Sequence, residues 1–96
     1  MLVVKQVVNS VFNSNSYVIY EFNSDYCWLV DIGDWYKIKE FIPFGMSVRG
    51  VFLTHTHFDH IYGINYLLKD YPQLMVFTSE YGSIALYSEK KFFILS

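Results

Sequence analysis

The chain has 96 residues, of which 53% are hydrophobic and 21% aromatic, and this composition excludes an intrinsically disordered protein. The length supports one small domain at most, and we expect residues 1–96 to belong to it. The net charge is −2 and the chain has no run of Lys or Arg, which argues against nucleic acid as a partner.

The first third of the chain predicts antiparallel strands. Runs rich in Val, Ile, Tyr and Phe predict strands over residues 2–8, 16–22 and 26–32. The polar residues Asn23, Ser24 and Asp25 predict the turn between the second and third strands, because short polar side chains bond their own backbone in turns.

After the third strand, the pattern predicts alternating helices and strands. Asp34 is expected to cap a helix that ends at Pro43. Its predicted apolar face comprises Trp35, Ile38, Phe41 and Ile42. A strand over 47–53 follows, and its run Val51-Phe52-Leu53 predicts burial on both faces.

Past residue 60, the pattern predicts one further strand between two helices. The first helix is predicted by apolar residues at helical spacing and ends before Pro72. These apolar residues are Ile64, Leu67, Leu68 and Tyr71. A strand over 74–77 and a short helix over 79–88 complete the predicted elements. The apolar residues 92–96 receive no assignment.

The N-terminal segment 1–8 interrupts its apolar run with polar residues, so neither a secretory signal nor a membrane-spanning segment is predicted. The only cysteine, Cys27, cannot form an internal disulfide and is interpreted as a buried small hydrophobic residue. These features predict a soluble cytoplasmic protein without a membrane partner.

A metal-binding motif follows the fourth predicted strand. All three histidines of the chain, His55, His57 and His60, lie within six residues, together with Asp59. In an extended segment His55 and His57 point to the same side and can reach one ion, whereas Asp59 and His60 follow a bend and can hold a second ion. Imidazole and carboxylate ligands suit zinc, and also manganese or iron. The alternative is a group of loop histidines that pack or hydrogen-bond locally.

The proposed chemistry is hydrolysis. Bound zinc lowers the pKa of water from 15.7 to about 7, and two ions about 3.5–4 Å apart can hold both the nucleophile and the leaving oxygen. We hypothesise that Asp59 is both a ligand and the catalytic group that orients this water.

With these residues, the chain resembles the N-terminal half of the metallo-β-lactamase fold superfamily. Beyond the histidine motif, the segments 15–19 and 30–33 resemble the family's early strand and its aspartate-x-glycine turn. The resemblance implies an α/β (α+β) fold in which a mixed sheet with flanking helices forms half of an αββα sandwich. It also implies two metal ions and hydrolysis of a small-molecule ester, thioester, amide or phosphodiester.

Carried over residue by residue, the resemblance assigns His55 and His57 to the first metal and Asp59 and His60 to the second. His60 favours the glyoxalase-II-like, lactonase-like or general hydrolase branches, because many β-lactam-hydrolysing members carry arginine there. Asp31 resembles a residue that steadies the site, and the alternative is a turn residue that bonds its own backbone.

The sequence departs from the family pattern after His60. The family's remaining ligands are a histidine, a bridging aspartate and a final histidine, whereas this chain has no later histidine and only one later aspartate, Asp70, which is interpreted as a solvated helix-end residue. A catalytic zinc normally has three protein ligands, and each half-site here has two. The 96 residues are therefore expected to form a partial, inactive domain.

Two other interpretations stay open. The first is a non-catalytic truncated half-domain that self-associates through an exposed apolar sheet surface and binds metal weakly or not at all. The second is a symmetric dimer in which two His-x-His pairs surround one ion.

Overall fold

The computed structural model describes residues 1–10, 14–54, 63–79 and 93–95. Within these ranges, six strands form one mixed sheet in chain order. They are β1 (Leu2–Val8), β2 (Asn15–Glu21), β3 (Tyr26–Val30), β4 (Ser47–Phe52), β5 (Met75–Ser79) and β6 (Phe93–Leu95). The helices are α1 (Trp35–Ile38), which a 3-10 turn over Lys39–Phe41 continues, and α2 (Ile64–Asp70).

The sheet changes from antiparallel to parallel at β3. β1, β2 and β3 pair antiparallel, whereas β3, β4, β5 and β6 pair parallel. This confirms the predicted antiparallel opening and the later alternation of helix and strand. At the turn between β2 and β3, Asn23 has φ +67°, in the left-handed region that asparagine tolerates.

One side of the sheet carries the hydrophobic core, and we call it the helix-facing side. The core joins side chains of β1 to β5 to both helices, and its fully buried members include Val18, Leu29, Ile38, Val51, Leu67 and Val76. Cys27 is also fully buried, as predicted.

The opposite side, which we call the open face, carries side chains that stay half-buried or exposed. Its apolar members include Leu2, Val4, Val8, Tyr17, Ile19, Trp28, Val30, Phe52, Met75 and Phe77. Phe52 and Phe77 stack with ring centroids 4.8 Å apart, and Trp28 lies 5.6 Å from Phe52. The prediction that β4 is buried on both faces was therefore wrong for Phe52, because its ring lies on the open face.

The structure differs from the predicted elements at three places. The helix after Asp34 is shorter, because the α-helix ends at Ile38 and Phe41 is 36% exposed. β6 was not predicted. The predicted helix over 79–88 begins at Ser79, which instead ends β5, and the rest of it lies outside the described residues. No helix in the described ranges is long and apolar enough to cross a bilayer.

Candidate metal centre

The predicted metal ligands lie in the connection between β4 and α2. His55, His57, Asp59 and His60 fall outside the described residues, so their assignment stays a prediction. The structure does describe the two ends of the connection, Thr54 and Gly63. Both ends contact the turn over residues 31–33, which follows β3.

Asp31 holds the start of this connection. Its carboxylate accepts two hydrogen bonds from Thr54, from the backbone N–H to Oδ1 (2.8 Å) and from the hydroxyl to Oδ2 (2.6 Å). Asp31 is 4% exposed and has φ +58°, in the left-handed region that aspartate tolerates better than most residues. Its backbone N–H donates to the Phe52 carbonyl (2.8 Å), so the turn is also tied to the end of β4.

Of the two interpretations of Asp31, these contacts favour a residue that steadies the loop. The carboxylate reaches 23 positions along the chain to the residue directly before His55. Hydrogen bonds to a charged acceptor are the stronger kind, and two of them fix both the position and the direction of the chain as it leaves β4.

Gly63 holds the far end of the connection against the same turn. Its N–H donates to the Ile32 carbonyl at 3.2 Å. A Cβ added at Gly63 would collide with the backbone carbonyl of Gly33. Only glycine allows this approach of two main chains, and the turn over 31–33 therefore anchors both ends of the predicted ligand loop.

A buried polar network holds the turn over residues 31–33 through hydrogen bonds from β2 and the end of β1. Asn9 is 1% exposed, and its side chain donates to Ser16 Oγ (2.9 Å) and accepts from the Asp34 N–H (2.9 Å). Ser16 Oγ also accepts from the Gly33 N–H (3.3 Å). Asn9 and Ser16 were not predicted to have this role, because an isolated polar residue near a strand end carries no sequence signal of burial. The network stabilises the turn that positions the loop.

The predicted cap at Asp34 is confirmed. Its Oδ1 accepts from the Lys37 N–H at 3.3 Å, and Oδ2 accepts from the Ser10 hydroxyl at 3.0 Å. Capping residues of this type satisfy backbone donors that a helix start leaves unpaired. α1 therefore begins directly after the turn, on the helix-facing side.

Asp70 has a partner that the sequence analysis did not foresee. It is exposed at the end of α2, as predicted, but its Oδ2 accepts from the Trp35 indole N–H at 2.7 Å. Trp35 is 3% exposed and contacts Tyr71 edge to face, with ring centroids 6.1 Å apart. Asp70 thus joins α2 to α1, in addition to being the exposed helix-end residue that the sequence predicted.

Burial also sets the acidity of two groups in the core. It raises the pKa of the Cys27 thiol to about 11. Burial is the main cause that raises the pKa of Tyr71, with smaller contributions from Cys27 and Asp70. A thiol with this pKa is neutral at physiological pH, which opposes a nucleophilic or metal-binding role for Cys27.

The four predicted ligands suit a metal by their chemistry. The described ranges contain no group of three or more His, Cys, Asp or Glu that could hold an ion. The predicted donor set is the three imidazoles and one carboxylate of the connection after β4, a mixture of nitrogen and oxygen ligands that fits zinc, manganese or iron. The connection leaves the carboxyl end of a parallel strand, the edge at which sheets of this type bind ligands.

Comparison with known families identifies the class of protein. The family model described as "Metallo-beta-lactamase superfamily" matches residues 9–74. This match covers the turn over 31–33, β4, the histidine motif and α2. The chain therefore belongs to the metallo-β-lactamase superfamily.

Curated relatives are hydroxyacylglutathione hydrolases. The protein of that name from Blochmanniella pennsylvanica is 30% identical over 89 residues, which is 85% of this chain and 35% of the relative. That from Buchnera aphidicola subsp. Baizongia pistaciae is 34% identical over 65 residues, or 66% of this chain and 26% of the relative. The chain thus spans between a quarter and about a third of the length of these relatives.

Solved structures confirm the fold class. The BLEG-1 B3 metallo-β-lactamase superposes with a TM-score of 0.66 at 18% identity, over 98% of this chain and 50% of the other. The predicted α+β fold with a mixed sheet and flanking helices is thereby confirmed. Identity at this level supports the fold alone.

Proposed function

We propose that this chain is part of a metal-dependent hydrolase of the glyoxalase-II-like or general hydrolase branch. The observation that supports the proposal most is the double anchoring of the histidine connection. The Asp31 carboxylate holds Thr54, and the Ile32 carbonyl accepts from Gly63. A ligand loop needs such support, because ligands must lie within a fraction of an ångström of their productive positions.

In the proposed site His55 and His57 hold one ion and Asp59 and His60 hold the second. Zinc is the proposed metal, with manganese or iron as alternatives. When bound, zinc supplies a hydroxide nucleophile at neutral pH. Asp59 orients the attacking water through its carboxylate. The turn over 31–33 keeps the loop in place while the substrate binds.

The proposed substrate is a small-molecule thioester, with esters and amides as alternatives. Two observations support this choice. The relatives are named as hydrolases of hydroxyacylglutathione, in which glutathione carries the acyl group. His60 stands where many β-lactam-hydrolysing members carry arginine. The net charge of −2 provides no basic surface for a nucleic-acid substrate.

Each ion has two ligands within the 96 residues, so the remaining ligands would come from residues outside them or from a second copy. The test is therefore carried out on the longest chain that the gene encodes. We expect that chain to contain zinc by elemental analysis and to hydrolyse S-lactoylglutathione. Asp59→Asn should lose most of this activity, and His57→Ala should lose zinc.

Asp25→Asn is the matched control, because it removes the same charge from an exposed turn at the opposite end of β3. It should leave both zinc content and hydrolysis unchanged. Full activity in Asp59→Asn would contradict the catalytic role, and a protein that takes up no zinc would contradict the metal function.

The second candidate is a non-catalytic half-domain that self-associates through the open face. The observation that favours it is the exposure of three apolar residues on β1, at 62% for Leu2, 56% for Val4 and 44% for Val8, beside the aromatic cluster of Trp28 and its neighbours. Contiguous exposed apolar surface of this kind is typical of interaction sites.

Analytical ultracentrifugation across a range of concentrations tests this association. We expect a concentration-dependent dimer in the 96-residue chain. Val4→Lys should shift the equilibrium toward monomer, because it places a charge on the open face. Tyr36→Lys is the control, since Tyr36 is 59% exposed on α1, on the other side of the sheet. A monomer at every concentration would contradict self-association.

A further inference from the structure

β1 forms one edge of the sheet. It stands first in the strand order, and among the described residues it pairs with β2 alone. This pairing runs through all 7 residues of β1 without a bulge, and β1 contains no proline. A regular edge strand of this kind presents unpaired backbone N–H and C=O groups, to which another strand can add.

The register of β1 on β2 decides which backbone groups point to the free edge. The Phe22 N–H donates to the Met1 carbonyl at 2.8 Å, and the Asn9 N–H donates to the Ser14 carbonyl at 2.7 Å. Both bonds join directly opposite residues that continue this register, so the odd-numbered residues of β1 direct their backbone groups toward β2. The even-numbered residues direct theirs toward the free edge, and they are Leu2, Val4, Gln6 and Val8.

Lys37 limits the length of the free edge. Its ammonium donates to the Val8 carbonyl, so this outward-pointing acceptor already has a partner. Within the described ranges, no hydrogen bond uses the backbone N–H or C=O groups of Leu2, Val4 and Gln6. Each of these three residues therefore offers one donor and one acceptor, as pairing with an antiparallel strand requires.

The free groups are symmetric about Val4, so they suit a second copy of β1. In the antiparallel register centred on Val4, this residue lies opposite Val4 of the partner subunit, and Leu2 lies opposite the partner's Gln6. Residues paired in this way exchange both of their backbone hydrogen bonds. Val8 stays outside the paired region, so Lys37 keeps its contact. An interface in which both copies use the same segment is the usual kind in homodimers.

The charge on β1 favours the same register. Lys5 is the only charged residue of the strand. Its Nζ donates to the Phe41 carbonyl at 3.1 Å and lies 5.3 Å from the centroid of the Tyr20 ring, so the ammonium is held over its own chain. In the register centred on Val4, Lys5 faces Val3 of the partner subunit. A register centred on Lys5 would place two like charges opposite each other, which is unfavourable.

The exposed apolar side chains of the edge also fit this partner. Leu2 is 62% exposed and Val4 is 56% exposed, and in this register Val4 contacts its own copy on the open face. We propose that β1 pairs antiparallel with β1 of a second copy, centred on Val4, and so extends the sheet across a two-fold axis. The contact is made by the sheet edge and not by packing of the open face. It is compatible with either candidate function, because β1 lies three strands away from β4.

Amide hydrogen exchange followed by NMR tests the edge directly, in the longest chain that the gene encodes. Analytical ultracentrifugation first gives the Kd of the dimer, and exchange is then measured below and above it. The N–H groups of Val4 and Gln6 should exchange more slowly as the dimer forms. Those of Val3 and Lys5 should be protected at every concentration, because they point toward β2.

Two substitutions at Val4 separate the backbone from the side chain. Val4→Pro removes an N–H that points to the edge and leaves the hydrogen bonds to β2 intact, so we expect it to raise the Kd of the dimer about 10- to 100-fold. Val4→Thr keeps the N–H and the branched shape, and it should dimerise with nearly the wild-type Kd. If Val4→Pro fails to fold, the exchange rates of wild type decide.

A third variant separates edge pairing from association through the open face. Ile19 lies opposite Val4 on β2, and Ile19→Lys places a charge on the open face without changing the edge. The dimer should persist in this variant. Loss of the dimer in Ile19→Lys would overturn the proposal in favour of packing through the open face.

The exchange rates also identify other occupants of the edge. A dimer in which the Val4 and Gln6 amides exchange as fast as in the monomer would overturn the proposal, because it would use another surface. A monomer at every concentration would overturn it too, and slow exchange of these amides in that monomer would assign the edge to another segment of the same chain. Zinc content and hydrolysis are measured separately, so these results leave the proposed metal function untouched.

Discussion

The contact between Asp31 and Thr54 gives a quantitative test of how the ligand loop is held. Asp31→Ala removes a carboxylate that accepts hydrogen bonds of 2.8 and 2.6 Å. Hydrogen bonds to charged groups contribute about 1.5–3 kcal/mol each in protected sites. Thr54 is exposed, so water replaces part of this energy, and we expect a total loss of about 2–3 kcal/mol from the free energy of unfolding.

This loss is large for a chain of 96 residues, whose free energy of unfolding is on the order of 5–14 kcal/mol. With a urea m-value of about 1–1.5 kcal/mol/M, the unfolding midpoint should fall by about 2 M without a change in slope. The unfolding midpoint of Asp31→Asn should fall by about half as much. The amide keeps one acceptor, and asparagine suits the φ of +58°.

Urea unfolding followed by tryptophan fluorescence checks these values, with Asp25→Asn as a control for the change in charge. The reasoning is refuted if Asp31→Ala unfolds at the same urea concentration as Asp25→Asn. It is also refuted if Asp31→Asn is as stable as wild type while Asp31→Ala is not, because the backbone conformation rather than the hydrogen bonds would then control the turn.

Three further predictions follow from individual contacts. Gly63→Ala should lower the free energy of unfolding by about 3 kcal/mol in the same urea assay, because the added Cβ would collide with a backbone carbonyl. Gly45→Ala is the comparison, since Gly45 has a φ of +83° but open space around it, and it should lower the free energy of unfolding by about 1–2 kcal/mol. Trp35→Phe should lower it by about 1 kcal/mol, and by less in an Asp70→Ala background, since the indole donor and its acceptor act as a pair in a double-mutant cycle. Since folding raises the pKa of Cys27 from 9.0 to about 11, the unfolded state ionises first, and the free energy of unfolding should fall as the pH rises from 9 to 11. Cys27→Val should remove this part of the pH dependence, and an unchanged dependence would contradict the assigned cause.

The sequence alone predicted those features that depend on neighbours along the chain. The alternating apolar residues of β1 and β2 and the turn at Asn23 are local patterns, and each was found where predicted within one residue. The cap at Asp34 is also local, since it bonds a backbone N–H three residues later. The histidine motif was recognisable because its spacing and order are themselves the signal.

The helix after Asp34 shows where local reasoning was insufficient. The apolar spacing extended to Ile42, yet the α-helix ends at Ile38 and a 3-10 turn carries the chain outward. Propensity and periodicity are weak over so few residues, and packing of the first turn against the sheet decides where the helix ends. β6 was missed because a short apolar run becomes a strand only through the edge of β5, with which it pairs.

The sequence by itself determined the class of this protein, because the four predicted metal ligands between an apolar strand and a helix carry the family signal in their spacing and order. Only the tertiary structure decided how that motif is held. Asp31 lies 23 positions before Thr54, and Gly63 meets a turn 30 positions earlier. Such contacts depend on which strands become neighbours in the sheet, and this is set by the burial of the whole core rather than by any one segment.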